Sequence, residues 1–163
     1  MATKAARRRR FLILLALGLA YAAYQALSAF HARYVFTVNH TASLSHWAFI
    51  VDRRATPERG DLIYFAPPDN PYYADTGFVK IIAGVAGDEV RREERTYFVN
   101  DVEIGAAKPR SQKGDPLEPG PVGVIPANTY FVFTPHKDSY DSRYKQIGWI
   151  GRDRIIGVAR PVL

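Results

Sequence analysis

Gly77-Phe78-Val79-Lys80-Ile81-Ile82-Ala83-Gly84-Val85-Ala86-Gly87-Asp88 is the stretch from which the fold class can be read. β-Branched and aromatic residues between glycine punctuation predict a strand over 78–83, and its apolar character on both faces predicts burial. Alternation places Phe78, Lys80 and Ile82 on one face. A lysine on such a face has two readings. Its stem can cover the core while the ammonium reaches water. Alternatively the amine loses solvation, which lowers its pKa and leaves a neutral base.

The same texture extends outward in both directions. Short apolar runs separated by Gly, Pro, Asp and Asn predict strands at 34–38, 47–52, 61–65, 88–92, 96–99, 129–134 and 155–160. Gly60-Asp61-Leu62-Ile63-Tyr64-Phe65 is a turn followed by an apolar strand. Tyr97-Phe98-Val99-Asn100-Asp101-Val102-Glu103-Ile104 predicts a hairpin turning at Asn100-Asp101. Residues 105–121, rich in proline and poor in apolar pattern, read as a long exposed loop with no fold of its own. No helical period is sustained after residue 31. A mainly β domain follows.

Upstream, residues 11–30 (FLILLALGLAYAAYQALSAF) carry no charge. Twenty helical residues span roughly 30 Å, the thickness of a hydrocarbon core. Arg7, Arg8, Arg9 and Arg10 precede them and favour a cytoplasmic N-terminus. The expected organisation is a basic cytoplasmic tail over 1–10, a transmembrane anchor over 11–30 and an extracytoplasmic domain over 31–163. A cleaved signal peptide, with Ala26-Leu27-Ser28 as its small-x-small site, and a helix lying in the interface are the alternatives.

The formal charge of +6 is mostly a tail effect, because the first ten residues contribute +5 and the rest of the 163-residue chain only +1. A nucleic-acid-binding face would spread its basic residues over the folded surface, so no nucleic-acid partner is expected. The absence of cysteine excludes thiolate metal sites and thiol nucleophiles. His31, His40, His46 and His136 show no ligand spacing, so neither a metal nor a cofactor is expected.

Two further segments carry candidate chemistry. Asn39-His40-Thr41-Ala42-Ser43-Leu44-Ser45 lies just past the apolar run. Ser43 there is a turn residue or, given a base and an oxyanion site, a nucleophile. In an extended segment the Thr41 hydroxyl shares its side and can donate to an oxyanion beside the Ser43 N–H. Asp138-Ser139-Tyr140-Asp141-Ser142-Arg143-Tyr144 is a turn tied by Asp and Ser side chains, with an Asp141–Arg143 ion pair, or a loop whose Ser139 meets the lysine amine.

Together these segments resemble the type I signal peptidase family of membrane-anchored Ser/Lys endopeptidases. The resemblance rests on Ser43-Leu44, Gly60-Asp61-Leu62-Ile63, Lys80-Ile81-Ile82-Ala83-Gly84-Val85-Ala86-Gly87-Asp88 and Ser139-Tyr140-Asp141-Ser142-Arg143, in that order behind an apolar segment. It implies a coiled antiparallel β-sheet domain behind one transmembrane helix, in the cytoplasmic membrane with the domain outside. It also implies Ser43 as nucleophile and Lys80 as general base. Ser43 N–H with Thr41 would form the oxyanion hole, supported by Ser139, Asp141 and Arg143. Substrates would be secreted or pilin-like precursor proteins met at the membrane lipid.

The short chain and the Asn-x-Thr-x-Ser-Leu lead-in are similar to the conjugation-type, TraF-like branch. Ser45, Ile81 and Pro135-His136-Lys137-Asp138 depart from the residues usual in the family, and Trp47 from the Gly usual in that branch; these bear on branch and substrate. The rival expectations are a non-enzymatic membrane-anchored β module, a Ser-His-Asp site using His136 or His46 with Asp138 or Asp61, and a self-cleaving Ser/Lys repressor relative, which should carry a DNA-binding domain where this chain has the apolar segment.

Overall fold

The computed structural model describes residues 4–38, 44–69 and 76–162. Chain contacts divide it at Tyr34–Val35 into two compact units.

The first unit is one helix, α1 (Lys4–Arg33), with no buried side chain. It begins seven residues ahead of the apolar run predicted to span, at Lys4 rather than residue 11, because Ala5, Ala6 and the arginines are good helix formers. Its length and composition suffice to cross a membrane.

The second unit is β1 (Tyr34–Val38), β2 (Ala48–Asp52), β3 (Leu62–Phe65), β4 (Phe78–Gly84), β5 (Glu89–Glu93), β6 (Thr96–Val99), β7 (Val102–Ala106), β8 (Gly123–Val124), β9 (Thr129–Phe133), β10 (Ile150–Gly151) and β11 (Ile155–Pro161). A seven-stranded sheet has the order β1-β2-β11-β3-β4-β9-β10, and a four-stranded sheet has β7-β6-β5-β8. Registered neighbours are antiparallel. The eight strands predicted from the sequence are all present, with ends moved by at most one residue. The two-residue strands β8 and β10 and a 3₁₀ turn at Arg152–Arg154 carry too little periodicity to be read that way.

The main core draws on both sheets. Ile63, Phe65, Phe78, Ile82 and Phe131 of the larger sheet join Val90, Tyr97 and Val99 of the smaller one. A second apolar cluster forms on Phe49, Val51 and Ala159, with Leu44, Leu62, Tyr64 and Val79 packed against it. The two clusters use alternate residues of β3 and β4, as a sheet buried on both faces requires.

The turn at Asn100-Asp101 forms as expected, with φ of 47° and 63° at the two residues, the geometry of a two-residue hairpin loop. The expectation for 105–121 is corrected. Ala107 and Leu117 are core residues, Arg110 bridges to Pro116, and Pro119 bridges to Tyr144. Burying such an arm leaves carbonyls in need of donors. Arg95, far off in sequence, supplies them: Nε donates to Ala107 O at 2.7 Å and Nη2 to Leu117 O at 2.9 Å. Gly120 lets the arm lie against the 139–143 loop, since a Cβ there would come within 2.2 Å of the Ser142 carbonyl oxygen.

Candidate active site

β4 presents Lys80 from the middle of the larger sheet, paired with Ile63 of β3 and flanked on its own face by Phe78 and Ile82. The lysine is only 5% exposed. Its Nζ donates to Ser139 Oγ at 3.0 Å and lies 5.6 Å from the Phe78 ring centroid. Burial pushes the amine down from 10.5 to about 8; the Asp141 carboxylate opposes this and the Arg143 guanidinium adds to it. Desolvation wins because the two opposite charges are locked to each other and largely cancel at the amine.

The C-terminal end of the strand that carries Lys80 is held by the Gly-Asp segments of the sequence. Ile82 N donates to Asp61 O at 2.9 Å, and Gly60 N to Ile82 O at 2.8 Å. Beyond β4, Asp88 accepts from Val85 N at 2.7 Å, Arg59 Nη2 at 2.7 Å and Asn100 Nδ2 at 2.8 Å. Burial alone would raise the Asp88 pKa; these three donors reverse that and leave it lowered.

Ser139 is delivered by a loop clamped to β9. Ser142 N donates to Val132 O at 3.0 Å, and its Oγ accepts from Val132 N at 2.9 Å, so one serine replaces a strand partner. Arg143 grips Asp141 with two bonds, Nε to Oδ1 at 2.9 Å and Nη2 to Oδ2 at 2.8 Å. Both residues are buried, at 2% and 0% exposure. Asp141 Oδ2 also accepts from Thr134 N at 3.3 Å, immediately beyond Phe133, the partner of Ile81. The pair is a bracket that holds the loop against the strand bearing the amine.

Four expected site residues, Lys80, Ser139, Asp141 and Arg143, therefore converge. Ser43 and Thr41 lie outside the described residues, as does His40. Leu44, the residue after Ser43, packs on the same apolar cluster as Val79, the residue before Lys80. The histidines of the rival site make local contacts. His46 is exposed and meets Ser45 Oγ at 3.3 Å, and His136 Nδ1 accepts from the Asp138 backbone N at 3.2 Å within its own turn. Sequence reasoning missed Lys108, whose amine pairs with Asp138 next to Ser139, and Arg95. Both belong to long-range contacts with no local signal.

A desolvated amine on a strand, held by a serine hydroxyl on a braced loop, defines a site built around a lysine near neutrality. The chain belongs to the signal peptidase family, peptidase S26, whose model matches residues 7–163. It is 30% identical to a probable conjugal transfer protein TraF from Sinorhizobium fredii, over 96% of this chain and 93% of that one. It is 35% identical to a probable signal peptidase I-2 from Synechocystis, over 66% of this chain but 48% of that protein, so the chain spans about half of that relative. Among solved structures, a signal peptidase I from Enterococcus faecalis aligns over 64% of this chain and 97% of its own at 24% identity, with a TM-score of 0.44.

Proposed function

We propose that this chain is a membrane-anchored serine endopeptidase that removes leader peptides from exported or pilin-type precursors, with Ser43 as nucleophile and Lys80 as general base. The observation that carries the proposal is the Lys80 amine, buried, held at 3.0 Å by Ser139 and pushed down to about 8. At pH 8 roughly half of such amines are neutral, against well under one in a hundred for an ordinary lysine. A neutral amine accepts a proton from an alcohol; an ammonium does not.

Neutral Lys80 takes the Ser43 hydroxyl proton as Oγ bonds to the scissile carbonyl carbon. The oxyanion is held by Ser43 N–H and the Thr41 hydroxyl, each such donor lowering the barrier by about 3 kcal/mol. Collapse breaks the C–N bond, and the Lys80 ammonium gives its proton to the departing nitrogen. A water then attacks the ester, Lys80 taking its proton and returning it to Ser43, which frees the leader's carboxyl end. Asp141 and Arg143 keep Ser139 in place and touch no substrate.

In this reading residues 1–10 are a cytoplasmic tail, 11–30 the anchor and 31–163 the catalytic domain outside the cytoplasmic membrane. At most roughly 40 Å of chain separates the anchor from Ser43, which suits substrates tethered in the same bilayer. The TraF-like relative favours a conjugation-related precursor. The test is precursor cleavage by purified full-length Ser43→Ala and Lys80→Ala. Both should stay folded and lose activity; full activity in either would remove the mechanism.

A further inference from the structure

Beside Ser139 opens a cleft of ≈ 320 Å³, within the usual size of small-ligand pockets, that the mechanism above leaves unused. Lys108, Arg110 and Lys113 line it from the arm, and Asp138, Ser139 and Tyr144 from the loop. Three cations face one carboxylate, and that carboxylate is already taken. Asp138 pairs with Lys108 and accepts from Lys137 Nζ at 2.8 Å, which holds it well below the usual carboxylate range. Among the described residues, Arg110 and Lys113 stand in no ion pair; Arg110 Nη1 donates to the Gly114 carbonyl at 2.9 Å.

The turn that carries the two unpaired cations is fixed before any ligand arrives. Ser111 N donates to Asp115 O at 2.8 Å, and Ser111 Oγ accepts from Lys113 N at 3.1 Å, closing a tight turn. The Tyr144 hydroxyl accepts from Lys108 N at 3.0 Å and pins the base of that turn to the active-site loop. A preformed charged cleft binds with less ordering cost than mobile side chains would.

We infer that this cleft is a specificity subsite for an acidic side chain in the substrate segment just after the scissile bond. The direction rests on the Ser43/Lys80 proposal. Lys80 protonates the departing nitrogen, and Ser139, one hydrogen bond from that amine, is also a wall of the cleft. The departing segment therefore starts at the cleft's edge. The acyl half stays on Ser43, next to Leu44 and the apolar cluster of Phe49 and Val51. An apolar leader and an acidic departing segment would thus each meet a surface of matching character.

The experiment uses full-length protein in phosphatidylcholine nanodiscs. The substrates are peptides differing only by Glu, Gln or Lys at each of the three positions after the bond. KM for the best Glu peptide should lie about threefold to tenfold below that of its Lys counterpart, with similar kcat, the range expected for partly exposed ion pairs. Arg110→Glu/Lys113→Glu should invert the order, and Arg110→Gln/Lys113→Gln should flatten it. The preference should shrink with added salt. Cleavage with no charge preference, or a preference that survives both variants, overturns the inference and leaves the protease reading standing. Charge-dependent binding of labelled peptide without any cleavage overturns the protease reading and, with it, the placement of the cleft after a scissile bond. A charge effect seen only in phosphatidylglycerol nanodiscs assigns the cations to lipid and also overturns it.

Discussion

Burial at 5% exposure strips water from the Lys80 amine, and the Ser139 oxygen at 3.0 Å is the acceptor that replaces it. A hydrogen bond to a charged donor contributes about 1.5–3 kcal/mol. Removing it disfavours the ammonium further, so Ser139→Ala should move the rising limb of kcat/KM against pH downward from near 8 by about one unit or more. The plateau should fall as well, by about 10–100-fold, since the amine loses its orientation. Ser139→Thr, which keeps the hydroxyl, should restore both. A uniform loss of rate with an unmoved limb would reduce Ser139 to a packing residue. The lysine's address on an apolar face was legible in the alternation of Phe78, Lys80 and Ile82. Its choice of desolvation over snorkelling was not, because that depends on a loop some sixty residues away closing over it.

At the scale of elements, the loop from Asp138 to Tyr144 holds its shape through a buried ion pair and a serine that imitates a strand. Breaking such a pair by removing one partner costs about 3–5 kcal/mol, since the other charge stays buried alone. Arg143→Met should lower unfolding free energy by that amount in urea titration of the full chain. Asp141→Leu with Arg143→Met should recover most of it. A single variant within about 1 kcal/mol of the parent would mean that water reaches the bracket. The Asp-Ser-rich composition and the Asp141–Arg143 spacing announced a tied turn. The arm over 105–121 was misjudged, because its carbonyls are satisfied by Arg95 and its apolar residues, Ala107 and Leu117, are too few to set a period.

For the molecule as a whole, the buried amine carries a stability cost with a definite pH window. Unfolded lysine keeps its proton to about 10.5, while the native amine gives it up near 8. Between those values the unfolded state binds more protons, so native stability should rise with pH by about 3 kcal/mol across the window. Below 8 the full cost of burying the charge is present. Lys80→Met should abolish the rise and be the more stable protein at pH 7, measured as unfolding midpoints from pH 6 to 10.5. An unchanged slope in the variant would show that another group is responsible. By itself the sequence determined the longer strands, the hairpin, the apolar helix and the identity of the lysine, since periodicity and turn chemistry are local properties of the chain. Only the tertiary structure decided that the amine is dry, that Ser139 rather than water holds it, and that Lys108, Arg110 and Lys113 line one cleft. Solvation and charge balance depend on which distant segments meet, and that information is spread over the whole fold.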